Sequence, residues 1–147
     1  MLYTTNKFLH ILIAILALGT SAGLGIVLEL YGQHPKHGTF VLSVILRIST
    51  WFVLPGYVAM LATGLWMTHL AWTPMPGWLQ TAITLWGVGL VLLIADIAVL
   101  RKQAARAVDG SAIVPLWLAL LGRGLGAVCG LLVVAILYLM VFKPNIT

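Results

Sequence analysis

Four apolar blocks, at about 8–30, 39–70, 79–100 and 114–142, leave this chain few folds to choose from. Each meets the roughly 20 residues that a helix needs to cross a hydrocarbon core ~30 Å thick. In that core every backbone N–H and C=O must find its partner within the protein, which selects helices here. Burying the blocks inside a water-soluble domain fails on charge. Only 7% of the 147 residues are charged, whereas a soluble domain carries about 25%. The solvent is therefore lipid. Short connections make consecutive helices antiparallel neighbours. The expected fold is all-α, a single polytopic domain over 1–147 built as an antiparallel four-helix transmembrane bundle, with the lipid bilayer as its first partner.

The few charges set the orientation. Eight basic residues against three acidic ones give a net charge of +5. They sit in loops and at helix ends, where positive charge sets topology, and form no stripe that would hold nucleic acid. An even number of spans puts both termini on one side, with Lys7 and Lys143. The other side holds Lys36, Arg101, Lys102 and Arg106, so the positive-inside rule makes it cytoplasmic and the termini external. Thr20-Ser21-Ala22 resembles a signal-cleavage region, but the apolar run continues to Leu30, which reads as an uncleaved first span. Cys129 is the single cysteine, so no disulfide framework and no CxxC or CxxCH signature exists. The chain also lacks GxSxG, HExxH and P-loop motifs, which leaves conventional hydrolase or NTPase chemistry unsupported.

Ionisable groups inside spans are the functional candidates. His10 opens the first span, and Ala14, Ala17, Ser21 and Gly25 follow it at helical spacing, a small-residue face suited to close helix packing. His69 closes the second span at the same expected depth. Two imidazoles on facing helices form an arrangement that can hold the iron of haem b axially. Thr63, Thr68 or Thr73 would fix their tautomers. Lys7 and Lys143, at the same end, would neutralise the propionates. The plain alternative is that interfacial histidines are tolerated because one ring edge reaches water. A second chemistry uses the same depth: Met140 with His10 and His69 offers thioether and imidazole donors suited to copper(I), while Met67, also at this depth, cannot share a helix face with His69 at spacing two. His34 and His37 read as ordinary loop histidines.

The inner half holds Glu29, Arg47, Asp96 and Arg123, one per span, an expected ion-pair cluster that would set the register of the bundle. Pro55-Gly56 should kink the long second span. Tryptophans around the 71–78 connection mark an interfacial belt. Gly122, Gly126 and Gly130 form a GxxxGxxxG face, a helix-packing signal for a helix of this chain, of a second copy in a homo-oligomer, or of a larger redox complex.

Lys7-Phe-Leu-His10, Gly19, Arg47, Pro55, Thr63-Gly64, Trp78 and Lys143-Pro144 together resemble a four-helix family of bacterial predicted integral membrane proteins. That family is similar to the HemJ-type protoporphyrinogen oxidases and to the CopD copper-resistance membrane domain. The resemblance implies a multi-pass protein of the bacterial inner membrane, in which the external termini expected from the charge distribution are periplasmic. On the HemJ side it implies haem b on His10, roles near the porphyrin for Arg47 and Lys143, and an oxidoreductase or electron-transfer function. The chain departs from HemJ after the first helix, where it reads Ile26-Val-Leu-Glu-Leu-Tyr-Gly-Gln33.

Overall fold

The computed structural model describes residues 1–32, 34, 36–72, 74–108 and 115–144. They form helices α1 (Leu2–Tyr31), α2 (Gly38–Ile48), α3 (Leu54–Ala71), α4 (Gly77–Val108) and α5 (Leu116–Phe142), with no strand among the described residues. A π-helical turn, Ser49–Val53, joins α2 to α3 without a break, so the five helices make four rods. All four are long and apolar enough to cross a membrane. Thr73 and Val114 lie outside the described residues.

The interruption expected at Pro55-Gly56 occurs just before it. Proline has no N–H, and its ring crowds the carbonyl four residues earlier. The chain answers with a wider turn, in which the Leu54 N–H donates to the Ser49 carbonyl five residues back. Helix α4 runs beyond Leu100 and through its basic cluster. Gln103, only 4% exposed, donates from Nε2 to the Leu118 carbonyl at 2.9 Å and ties the end of α4 to the first turn of α5.

Two antiparallel pairs dominate the packing, α1 with α3 and α4 with α5, while α2 lies on α4. Small residues make the first pair close. A Cβ built on Gly56 would lie 2.7 Å from that of Ala17, which is the buried residue of α1. The core then grows outward through Tyr57, Met60, Trp86 and Ile136. Tyr57 stacks on Trp86 with ring centroids 4.5 Å apart.

The glycine ridge of α5 divides. A Cβ on Gly122 would meet Gln103 Nε2 at 3.1 Å and Val99 at 3.6 Å, so this glycine packs within the chain. Gly126 and Gly130 have nothing within 4 Å of such a Cβ. Gly122→Leu is therefore expected to cost about 1–3 kcal/mol by wedging α4 from α5. Gly126→Leu should leave the thermal midpoint of detergent-purified protein unchanged. Equal losses at the two sites would contradict this division.

The expected inner ion-pair cluster is reduced to one pair. Arg123 Nε and Nη2 donate to the two carboxylate oxygens of Glu29, each at 2.8 Å. Arg47 and Asp96 form no ion pair among the described residues. Helix periodicity explains the miss at Arg47. Leu42, Ile45 and Ser49 are the buried residues around it, at spacings of three and four, and a position two residues from Ile45 turns to the outside. Asp96 stays half-buried on α4.

Candidate functional site

Helices α1 and α5 share no packed interface, although both stand beside the α3–α4 pair. The space left between them is a cleft of about 550 Å³, lined by α1, α3, α4 and α5. That volume lies in the range of small-molecule and cofactor sites, roughly 300–1,000 Å³. Its walls are mostly apolar, with Met60, Trp86 and Ile136 rising into it from the core. Polar groups gather at the end formed by the start of α1 and the end of α5: Tyr3, Lys7, His10 and Lys143.

His10 is held there by a short chain of hydrogen bonds. Its Nδ1 lies 2.8 Å from Thr63 Oγ1. The Thr63 hydroxyl has one proton, and the carbonyls of Ala59 and Met60 stand 2.8 and 3.1 Å from the same oxygen. When that proton goes to a carbonyl, the hydroxyl accepts from the ring; Nδ1 then carries the imidazole proton and Nε2 keeps its lone pair. Asn6, one turn before His10, donates to the Thr63 carbonyl at 3.0 Å and anchors the start of α1 to α3. Gly64 makes room for the ring, since a Cβ there would sit 3.4 Å from His10 Cε1.

The aromatic belt shapes the other wall. Trp72 and Trp78 meet edge to face at 5.6 Å, and Lys143 Nζ lies 5.6 and 5.9 Å from their ring centroids. Lys143 has φ 45°, a left-handed conformation uncommon for a residue with a side chain. Its N–H closes α5 by donating to the Leu139 carbonyl at 3.0 Å.

The structure thus gathers His10, Lys7 and Lys143 around one cavity and leaves two other expected members outside it. His69 is exposed near the end of α3 and does not line the cleft. The α3 seam facing the cavity passes through Met60, Gly64, Thr68 and Trp72, and one step from Thr68 turns His69 away by about 100°. The two histidines are therefore not brought to one cavity. Arg47 is exposed on α2 and is not part of the lining. Met140, the thioether expected for copper, lines the cleft, and so does Met67. Of the three threonines, Thr63 contacts His10. Thr68 spends its hydroxyl on the Gly64 carbonyl at 3.0 Å, and Thr73 lies outside the described residues. Asn6 and Gly64 were not singled out for the site from sequence. Their signals were positional, with Asn6 four residues before His10 and Gly64 next to Thr63. His34 and His37 stack on each other at 4.9 Å near the opposite end of α1.

A family model described as predicted integral membrane protein matches residues 4–144. The chain belongs to the DUF2269 family. Its match runs from the first turn of α1 to the residue after Lys143 and so includes the cleft residues other than Tyr3. For this DUF2269 chain, no curated protein and no solved structure matches. The family description establishes an integral membrane protein and names neither a ligand nor an activity.

Proposed function

We propose that the cleft binds haem b, that His10 would hold its iron, and that the protein serves membrane electron transfer or porphyrin-linked redox chemistry. The observation that carries this reading is the bond from His10 Nδ1 to Thr63, which leaves Nε2 free as a donor beside an apolar cavity. Metal-binding histidines have this arrangement, with the second nitrogen held by a partner that sets tautomer and ring angle. The residues present suit the group. Trp86 and the aliphatic walls suit a flat macrocycle, and Lys7 and Lys143 suit its two carboxylates. Bound haem supplies one-electron chemistry. The chain's own part is to hold the iron through His10, orient the carboxylates through the lysines and keep bulk water from the apolar walls. The HemJ resemblance at His10 and Lys143 supports the same reading.

Copper(I) is the second reading, favoured by the presence of Met67 and Met140 in the same lining as His10. One preparation separates the two. Protein purified in mild detergent from haem-supplied cells is expected to show a Soret band. Folded protein with no such band ends the haem reading, and one copper per chain in that preparation replaces it. We also propose that the His10 end faces the periplasm of a bacterial inner membrane, because Lys36, Arg101, Lys102 and Arg106 lie at the other end, against Lys7 and Lys143 at this one. A carboxyl-terminal reporter active only in the cytoplasm would reverse this orientation.

A further inference from the structure

We infer that the ligand of this cavity is taken from the lipid phase and enters sideways, between α1 and α5; the inference rests on the site proposed above. Around the cavity the helices follow the order α1, α3, α4, α5. The seams α1–α3, α3–α4 and α4–α5 are packed, whereas α1–α5 is not. The lips of the open seam are apolar and face outward: Ile11 and Ile15 on α1 are 47% and 65% exposed, and Leu137 and Val141 on α5 are 49% and 72% exposed. In a membrane-spanning bundle such side chains face acyl chains, so the opening faces lipid.

The seam is tied at its far end by the Glu29–Arg123 pair, about 28 Å from His10 along α1 at 1.5 Å per residue. Between tie and cavity the seam carries glycines. Gly126 and Gly130 follow Arg123 at helical spacing and so share its side of α5, and Gly25 lies one turn before Glu29 on α1. A Cβ at any of these three glycines would meet nothing within 4 Å.

Charge then fixes the class of ligand. Lys7 and Lys143 stand at one end of the cleft, beside the Trp72–Trp78 pair, and apolar walls fill the rest. The complement is a rigid apolar amphiphile with acidic groups at one end. Such a molecule dissolved in one leaflet already has its acids at headgroup depth and its body among the chains. It slides between α1 and α5 in that orientation, with neither a flip nor a passage through water.

The test uses ligand-free protein in lipid nanodiscs, with haemin supplied from donor vesicles. Paired Ile15→Trp and Leu137→Trp changes at the lips are expected to slow growth of the Soret band at least about tenfold, with a final spectrum like that of the unsubstituted protein. A loading rate unchanged by the pair overturns sideways entry. A second measurement needs no haem. A spin label at Ile83→Cys, inside the cavity in a Cys129→Ala background, is expected to collide with oxygen in preference to a water-soluble nickel chelate. Preference for the chelate marks a cavity open to water and overturns the inference. Absence of a Soret band in the unsubstituted protein would remove the haem reading alone, and the label would still decide the route.

Discussion

His10→Ala is expected to abolish the Soret band of haem-loaded protein, and Thr63→Val to weaken haem retention about 10- to 100-fold. The two effects have different causes. Alanine removes the donor nitrogen itself. Valine keeps the volume of Thr63 but leaves Nδ1–H without the oxygen that stands 2.8 Å away, so the ring loses both its angle and its preferred tautomer. Thr63→Ser restores the oxygen and should restore retention, which distinguishes an effect on His10 from general damage to α3. His69→Ala is expected to leave the spectrum unchanged, because that side chain is exposed and lies outside the cavity. Haem titration of all four variants in detergent checks the set. A Soret band that persists in His10→Ala and vanishes in His69→Ala would invert the assignment.

Gly56→Leu is expected to produce the largest loss of stability in the chain, about 3 kcal/mol or more. Without a hydrophobic drive between helices in lipid, α1 depends on close backbone approach to hold its place. Ala17 is its buried residue, 2% exposed, and it faces Gly56 across the α1–α3 contact. A Cβ there would come to 2.7 Å from another Cβ, a separation that no rotamer change can relieve. The helices must then part, and the His10–Thr63 bond two turns along parts with them. The readouts are a lower thermal midpoint in detergent and loss of whatever ligand the cavity holds. Gly56→Ala alone should show a smaller loss from the same contact, and adding Ala17→Gly should recover most of that smaller loss, since the pair exchanges one methyl group across one contact. Failure of the double change to recover would move the cause away from this contact.

These expectations rest on features of unequal legibility. Apolar length and the scarcity of charge were enough for four helical rods, because lipid leaves a spanning segment no other way to satisfy its backbone. Pro55 located the interruption of the second rod to within a turn. The glycine ridge announced close packing but not its partner, and the structure gives Gly122 to α4 while leaving Gly126 and Gly130 open. The inner charges followed the same rule. All four lie in the expected half of the bundle, yet Glu29 and Arg123 are the two that meet.

The sequence by itself determined how far along its helix each residue lies. Rise per residue and chain reversal place Lys7, His10, His69 and Lys143 at one end of the bundle, a matter of counting. Which way each side chain turns was decided by the tertiary structure. Rotation about a helix axis depends on which face its neighbours bury, and for apolar spans in lipid the pattern of residues marks that face weakly. The close approach of Ala17 to Gly56 turns His10 toward Thr63, and the α3 seam through Gly64 and Thr68 turns His69 outward. The unsealed α1–α5 seam also belongs to the assembled bundle, since only the packing of the other three seams reveals that one is left open.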